Sequence, residues 1–533
     1  MKRLLFAFSV VAVLWSAACN GGGPTIQPPP PTGKYSLSSL QGTYAFTTSG
    51  EVCAGCDFVT VPAVPLARVG SFIADGMGHI TGGMEDVNAG GTPGSASSIT
   101  GGSYTVNADG RGTLTLTFQS GNSINFGIVL TSAADGLMID ETSNSMRAST
   151  GSGNFILQQS TAFALSELTG NYVFDFTGFD GVQPNPNPES FVGDFTADGT
   201  AGTIPAGLFD DNDGGQLTSG GMNPGTISQD PLQTAAFTNF GRGIATVAGQ
   251  NFVFYIVNSG RIRFLSTNNG MLSGDAVLQA TPPAAFSGGF AFLVGGSSPN
   301  GGLTRVARFT AAGSALSKML MDVNDAANEV QFNNLSNGTI STYDATTGRG
   351  QLSFQDSNGQ VYTFVFYLSS PSGGVIQDIS PSGTANQARV VADGSINLQS
   401  GSPFTGSNIS GTYAMNWSGL VTAGGNISST DEEDLLGQVK ISSLSLSGTS
   451  DMFQFTSPTL TPYLDIGTGG AVNLNGGDGT NGDMHPVDMD VNLSGITPIH
   501  MVVYIVNPQL AFFANRDNSG TPRIVAGVLQ AQQ

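Results

Sequence analysis

The chain has 533 residues, of which 39% are hydrophobic, only 10% are charged and 75 are glycine. Disordered proteins combine low hydrophobicity with high charge, so this composition excludes that class and is typical of short strands joined by turns. The net charge of −21 argues against a nucleic-acid partner, because an acidic protein repels phosphates. The length predicts three or four domains.

The N-terminus predicts export. A basic start (MKR) precedes 12 apolar residues (LLFAFSVVAVLW), a stretch too short to span a bilayer, and then SAAC and a Gly/Pro-rich segment. This pattern resembles a bacterial lipoprotein signal. The resemblance implies a signal peptide at 1–18, lipid on Cys19, a tether at 19–37, and, from Asn20, the outer membrane or cell surface as destination. An ordinary secretory leader cut near Ala18 is the alternative.

Beyond the tether the chain repeats itself four times. Each unit opens with an apolar residue and a Gly-x-aromatic step, as at Leu40 with GTYAF, and closes on Leu-Gln. The other openings are at Leu168, Phe286 and Ile409, and the closing pairs are at 157–158, 278–279, 398–399 and 529–530. We therefore predict four modules of about 120 residues, with bounds 38–160, 165–281, 284–401 and 407–533.

Each module is predicted to be a series of antiparallel strands. Asp-Gly pairs at 75–76 and 109–110 are hairpin signals, and Leu114, Leu116 and Phe118 alternate with threonine. The predicted fold is all-β, with each meander closing into a barrel that has no free edge. The Gly-x-aromatic opening resembles that of lipocalin-like barrels, which implies a ring packed across the barrel floor. Sandwiches and a propeller are the alternatives.

One helix is predicted, over 430–440. The sequence TDEEDLLGQVK places Thr430 and Glu433 at the spacing of a capping box, ahead of Leu435 and Leu436.

Cys53 and Cys56 lie close together after the first strand of the first module. An exported protein meets an oxidising environment, so the pair predicts a small loop disulfide. A redox site or unpaired thiols are the alternatives.

An Asp-x-Asn element recurs in modules 1 to 3, at Asp86, Asp210 and Asp322. Aspartate and asparagine stabilise turns through their own backbone, which is the preferred interpretation. The alternative is a Ca²⁺ site, because oxygen ligands two residues apart can reach one ion from a loop. Module 2 is the best candidate for it, with Asp210, Asp211 and Asp213.

A Gly-Arg-Gly turn recurs in the same three modules, at Arg111, Arg242 and Arg349, and the fourth module lacks Gly-Arg-Gly and a clear Asp-x-Asn at the matching place. We therefore expect ion pairs inside each module, because a guanidinium can bind a carboxylate with two hydrogen bonds. The expected pairs are Arg111–Asp86, Arg242–Asp210 and Arg349–Asp322. A ligand-gripping role for these arginines is the alternative.

No catalytic constellation is visible in the sequence. The three histidines are scattered, there is no Gly-x-Ser-x-Gly elbow, and the acidic run at 431–434 is typical of an exposed loop. The predicted function is a non-enzymatic, lipid-anchored envelope or surface protein for adhesion, display or scaffolding. It would use no cofactor other than the candidate Ca²⁺, and its partners would be the membrane and a surface protein, glycan or lipid. The alternatives are a small apolar ligand inside the barrels and a secreted carbohydrate-active enzyme.

Overall fold

The computed structural model describes most of the chain beyond the tether. The described ranges are 34–54, 63–144, 147–181, 186–326, 328–332, 335–401, 404, 408–421, 431–456, 459–473, 487–516 and 522–533.

Barrel 1 follows a 3-10 turn at Leu37–Ser39. Its strands are β1 (Gln41–Ala54), β2 (Val64–Asp75), β3 (His79–Ala89), β4 (Thr92–Pro93), β5 (Ser97–Tyr104), β6 (Arg111–Phe118), β7 (Ser123–Leu130), β8 (Asp135–Asp140), β9 (Ser143–Asn144) and β10 (Arg147–Leu157). Pairing of β1 with β10 closes it, and β4 and β9 are short additions.

Barrel 2 follows two 3-10 turns, at Ser160–Ala162 and Leu165–Glu167, and contains the helix α1 (Thr234–Phe240). Its strands are β11 (Thr169–Phe179), β12 (Pro188–Asp198), β13 (Thr203–Asp213), β14 (Gln216–Gly221), β15 (Gly225–Gln229), β16 (Arg242–Val247), β17 (Gln250–Asn258), β18 (Arg261–Ser266) and β19 (Met271–Leu278).

Barrel 3 has the same plan. Its strands are β20 (Ser287–Ser298), β21 (Gly301–Ala312), β22 (Ala315–Asp325), β23 (Asn328–Phe332), β24 (Ser336–Tyr343), β25 (Arg349–Gln355), β26 (Val361–Ser370), β27 (Gly373–Asp378) and β28 (Val391–Leu398).

Barrel 4 completes the series. Its strands are β29 (Gly411–Val421), β30 (Glu432–Ser442), β31 (Ser445–Thr456), β32 (Thr459–Asn473), β33 (Val487–Leu493), β34 (Ile499–Asn507), β35 (Leu510–Asn515) and β36 (Arg523–Ala531).

All four sheets are closed antiparallel barrels of eight main strands. The predicted barrel architecture is therefore confirmed, and the sandwich and propeller alternatives are wrong. The predicted helix at 430–440 is also wrong, because most of that segment is β30. Nearly every residue of β30 is buried: it pairs with β29 and β31, and its outer face packs on barrel 1. This burial on both faces overrides the local capping signal.

The repeated Gly-x-aromatic step closes one end of each barrel. Gly42 has φ +128°, and a Cβ there would lie 2.7 Å from Leu157 Cδ1, so the position needs glycine. Two residues later, the hydroxyl of Tyr44 donates to Ala133 O at 2.8 Å, in the turn between β7 and β8. Tyr172 makes the equivalent bond to Ser259 O at 2.6 Å. The ring thus ties the first strand to the opposite side of the barrel, as the resemblance implies.

Side chains fill the barrel interiors. In barrel 2 the centroid of Phe176 lies 4.6 Å from that of Phe174 and 4.8 Å from that of Phe252. In barrel 4 Trp417 is completely buried. An eight-stranded barrel can hold either a packed core or one small ligand, and these barrels hold a packed core.

The barrels form a closed ring. Each barrel contacts the next in chain order, and barrel 4 contacts barrel 1 through β30 against β7, β8 and β10. We call the four interfaces seams 1–2, 2–3, 3–4 and 4–1. Each has its own apolar cluster, separate from the barrel cores.

Candidate functional site

The closing glutamines join each barrel to the next. Nε2 of Gln158 donates to Phe240 O at 2.9 Å and to Ile256 O at 2.6 Å in barrel 2. Gln279 and Gln532 make the same two bonds at seams 2–3 and 4–1, and Gln399 makes one of them, to Ile505 O, at seam 3–4. The closing glutamine is therefore a connection between barrels, and the one at seam 4–1 closes the ring.

The closing pair of module 4 lies two residues beyond the predicted one. Ala531 pairs with Tyr413 as Leu157 pairs with Tyr44, so Gln532 is the counterpart of Gln158. The prediction of Leu529-Gln530 is wrong because strand register, and not the dipeptide, defines the position.

Seam 1–2 contains a buried group of Asp86 from barrel 1 with Arg242 and Tyr255 from barrel 2. Arg242 Nε and Nη2 lie 2.7 and 2.8 Å from the two Asp86 oxygens, and the Tyr255 hydroxyl donates to Oδ2 at 2.6 Å. Arg242 Nη1 also donates to Asp230 at 2.6 Å. Burial lowers the pKa of Arg242, but Asp86 outweighs it and leaves that pKa above its ordinary value.

Seam 2–3 repeats this group one barrel further on. Arg349 Nε and Nη2 lie 2.8 and 2.7 Å from the oxygens of Asp210, and the Tyr367 hydroxyl donates to Asp210 Oδ2 at 2.6 Å. Burial, followed by the charge of Asp210, raises the pKa of Tyr367 well above its ordinary value.

The expected ion pairs within modules are therefore wrong. Arg242 binds Asp86 rather than Asp210, and Arg349 binds Asp210 rather than Asp322. The reason is strand alternation. Asp86 lies opposite Val69 in the sheet, and Val69 packs against barrel 2, so the carboxylate faces the neighbouring barrel.

Seam 4–1 contains Arg111, whose partners the sequence did not predict. Arg111 Nη2 lies 3.0 and 2.8 Å from the oxygens of Asp451 and 2.8 Å from Asp465 Oδ1, so the expected Arg111–Asp86 pair is wrong too. In strand register, Asp451 lies opposite Leu436 in barrel 4, as Asp86 lies opposite Val69 in barrel 1. It is thus the fourth copy of the repeated aspartate. The Asp-x-Asn pattern hides it because Phe453 stands in place of asparagine.

Seam 3–4 has the aspartate and the tyrosine but lacks the arginine pair. The Tyr504 hydroxyl donates to Asp322 Oδ2 at 2.5 Å, while Asp322 Oδ1 is buried without a hydrogen-bond partner among the described residues. Burial raises the pKa of Asp322 to about 6. Among the described residues, the apolar cluster of this seam is the largest of the four seam clusters, with twelve buried members.

The asparagines of the Asp-x-Asn element make a second connection. Asn88 Nδ2 donates to Gly270 O of barrel 2 at 2.9 Å, and Asn212 Nδ2 donates to Val390 O of barrel 3 at 2.9 Å. Asn324 Nδ2 donates to Arg523 O of barrel 4 at 2.9 Å. The element therefore acts between barrels and is not a local turn stabiliser.

The acidic run at 431–434 is buried at seam 4–1, contrary to the exposed loop expected from the sequence. Asp434 accepts hydrogen bonds from Thr150 and Ser152 of barrel 1, the latter at 2.9 Å. Glu51 of barrel 1 is completely buried, and neither of its carboxylate oxygens has a hydrogen-bond partner among the residues that the structure describes. Burial, followed by the charges of Asp431 and Asp434, raises the pKa of Glu51 well above its ordinary value. Burial also raises the pKa of Glu432, with Asp434 and Glu51 adding to it.

Barrels 1 and 3 also enclose a charged pair, which the sequence analysis missed. In barrel 1 Arg68 Nη1 lies 2.8 Å from Glu85 Oε1, and Nε lies 3.5 Å from Asp140. Arg305 and Asp378 form the equivalent pair in barrel 3, where burial lowers the pKa of Arg305 to about 10.

The three aspartates proposed for Ca²⁺ do not converge. Asp210 faces seam 2–3, whereas Asp211 and Asp213 lie on the other face of β13, beside Glu189. Burial raises the pKa of Asp211 to about 7 and that of Glu189 to about 9. Within the described ranges, no group of three or more His, Cys, Asp or Glu side chains could hold a metal ion.

The predicted Cys53–Cys56 disulfide and the predicted lipidation of Cys19 both involve residues outside the described ranges. Cys53 is buried and disulfide-bonded, whereas Cys56 and the lipidation site Cys19 lie outside the described residues. The Cys53–Cys56 pairing therefore stays a prediction. None of the helices in the described part of the chain has the length and apolar character needed to cross a bilayer.

Comparison with known proteins finds only distant similarity. No family model and no curated protein matches the chain. Among solved structures it is similar to a double mutant of Transferrin Binding Protein B from Haemophilus parasuis Hp5, with 10% identity over 74% of this chain and 83% of that chain and a TM-score of 0.21. The isotype 1 protein from serogroup B Neisseria meningitidis gives 10% identity, coverage of 74% and 82%, and a TM-score of 0.17. Similarity at this level supports no transfer of function.

Proposed function

We propose that this chain is a non-catalytic, lipid-anchored protein of the cell envelope, in which four barrels form a rigid ring for adhesion, display or scaffolding. The observation that carries the proposal is the closure of the ring. Seam 4–1 repeats the glutamine connection and the arginine–aspartate pair of the chain-consecutive seams. Such closure holds the four barrels in one fixed arrangement, as a platform requires.

Two further features support a structural role. The barrel interiors are filled by packed side chains, which favours this function over the carriage of an apolar ligand. The charged groups at the seams bind each other, with Arg111, Arg242 and Arg349 each on an aspartate of the neighbouring barrel. Their arrangement serves connection between barrels more directly than turnover of a substrate.

The anchor is tested by Cys19→Ser in the native host, with Cys53→Ser as the matched control. We expect wild type and C53S to enter the detergent phase on phase partitioning and to carry an acylated N-terminal cysteine in mass spectrometry. C19S should remain in the aqueous phase. If wild type begins at residue 19 without lipid, the chain is a secreted protein and the anchor is wrong.

The display role is tested with whole cells. Protease or antibody access to the ring on intact cells, compared with lysed cells, should show exposure at the surface. A purified ring immobilised on beads should retain a surface protein or glycan from the same environment. Native mass spectrometry that finds a stoichiometric lipid inside the protein would contradict the packed-core interpretation.

A further inference from the structure

A pocket lies at seam 3–4 beside the aspartate that has no arginine. Its volume is about 220 Å³, and its lining includes Asp322, Asn324, Glu329, Val330, Gln331 and Arg516. A water molecule occupies roughly 30 Å³ of liquid, so the space admits a planar cation of several heavy atoms. Asp322 is 6% exposed, and its Oδ1 has no hydrogen-bond partner within the part of the chain that the structure describes.

Seams 1–2 and 2–3 show what binds the same carboxylate when an arginine is present. There, the Tyr255 or Tyr367 hydroxyl and an arginine Nε share Oδ2, while the arginine Nη2 binds Oδ1. At seam 3–4 the tyrosine contact is retained by Tyr504. Only the guanidinium position differs, and Oδ1 is the atom left without a donor.

The sequence of barrel 4 has no arginine at the repeat position of Arg242, which falls on Pro486, just outside the described residues. Val487 lies opposite Val503 in the sheet of barrel 4, as Gly243 lies opposite Phe254 in barrel 2, so Val487 is the counterpart of Gly243. The residue before Gly243 is Arg242, whereas the residue before Val487 is Pro486. Proline offers neither charge nor donor.

From these observations we propose that the pocket at seam 3–4 binds a guanidinium cation from outside the chain. The cation would donate to both oxygens of Asp322, as Arg242 does to Asp86. This inference goes beyond the proposed function and does not depend on the lipid anchor. The ligand is either a small guanidinium compound or the arginine side chain of a partner protein.

The other charged groups around the pocket are compatible with a bound cation. Arg516 binds Asp488 and donates to Gln331 Oε1 at 3.3 Å, so its guanidinium is held by those residues. Burial raises the pKa of Asp322 more than the charge of Arg516 and a hydrogen bond from Gln331 lower it, and Oδ1 still has no partner among the described residues. Glu329 adds a second acidic side chain to the lining, and Asn324 Oδ1 is a second buried acceptor without a partner. A guanidinium matches a carboxylate with two parallel hydrogen bonds, which an ammonium cannot do. The site should therefore discriminate between these two cations.

The test is calorimetric titration of the full ring with four probes. They are methylguanidinium, methylammonium, N-acetylarginine methylamide and N-acetyllysine methylamide. We expect saturable binding of the guanidinium probes, with affinity about tenfold or more above that of the matched ammonium probes. Tighter binding of the arginine amide than of methylguanidinium indicates a partner protein as the source, and equal affinity indicates a small compound.

Two variants and a control complete the test. Asp322→Asn should lower the affinity at least about tenfold, while the exposed Glu167→Gln, which removes one carboxylate elsewhere, should leave it unchanged. Val330→Arg places a positive charge on an exposed lining residue and should abolish binding even if Asp322→Asn fails to fold. The proposal is overturned if wild type shows no saturable guanidinium binding, if D322N or V330R binds like wild type, or if ammonium probes bind equally well.

Discussion

Seams 1–2 and 3–4 occupy the same positions of the repeat but are stabilised by different chemistry. Seam 1–2 buries Asp86 with Arg242 and Tyr255, and its apolar cluster has seven buried residues. At seam 3–4 Asp322 is bound by Tyr504 and not by an arginine of the repeated position, and the apolar cluster has twelve buried residues. Apolar area therefore has a larger part at the seam where this ion pair is absent, as expected from the cost of burying charges. The ion pair instead specifies register, because a displaced arginine would leave two buried charges unpaired.

The largest effect should come from removing the cation of seam 1–2. Arg242→Met leaves Asp86 buried with Tyr255 as its remaining partner, so we expect a loss of about 3–5 kcal/mol in the free energy of unfolding. Urea denaturation measures it. Arg516→Met, which removes a half-exposed arginine from the 3–4 seam, is the matched control and should cost at most about 1 kcal/mol. Similar losses in both variants would contradict the distinction between the seams.

A second effect concerns pH and the acidic group at seam 4–1. Burial raises the pKa of Glu51 above its ordinary value and that of Asp434 to about 6. Groups with raised pKa bind more protons in the folded state than in the unfolded chain. Their contribution is therefore complete below the ordinary carboxyl pKa and is lost as the pH rises through the folded pKa.

The stability of seam 4–1 should thus fall as the pH rises from the ordinary carboxyl pKa through the raised pKa values, of which that of Asp434 is about 6. Glu51→Gln should raise the free energy of unfolding by about 1–3 kcal/mol at pH 8, by removing one unpaired buried charge, and change it little at pH 5. Thermal melts across this range provide the measurement. The exposed Glu167→Gln should give the wild-type pH profile, and a destabilised E51Q at pH 8 would refute the assignment.

A smaller difference separates two tyrosines. Tyr504→Phe removes the hydroxyl donor to Asp322 Oδ2, while Oδ1 already has no partner among the described residues; Tyr255→Phe leaves Asp86 still bound by Arg242. The first change should cost about 1 kcal/mol more than the second, because an unsatisfied buried acceptor costs more than one lost bond in a satisfied group. Urea denaturation of the two variants side by side tests this, and equal costs would indicate that Arg242 does not compensate.

The smallest effect is expected within seam 4–1, where Arg111 has two carboxylate partners. The side chain of Asp465 is 79% exposed, whereas that of Asp451 is 14% exposed. Asp465→Asn should therefore change stability by about 0–1 kcal/mol, since exposed ion pairs contribute little. Asparagine also tolerates the positive φ of this position. Asp451→Asn should cost more, and the reverse order in thermal melts would show that the exposed partner is the important one.

The sequence alone determined the all-β class and the fourfold repeat, and it favoured barrels, but the structure was needed to exclude sandwiches and a propeller. The signals for strands and turns are local. They are the alternation of Leu114, Leu116 and Phe118, the hairpin turns and the Gly-x-aromatic step, and each depends only on the backbone geometry of neighbouring residues. The sequence also singled out the repeated arginines and aspartates. The predicted ion pairs were wrong, because short separation in the chain favoured an arginine and an aspartate of the same module.

Only the tertiary structure decided those partners. Arg242 and Asp86 are 156 residues apart, and Arg111 and Asp451 are 340 apart. They meet because strand alternation directs each aspartate outward and the docking of barrels supplies the facing arginine. The segment 431–434 shows the same limit: its charges favour an exposed loop or a helix terminus. In the structure most of this segment belongs to a strand, and barrel 1 packs on the outer face of that strand and buries the segment. Which outward face is covered depends on the arrangement of the four barrels, which no local pattern encodes.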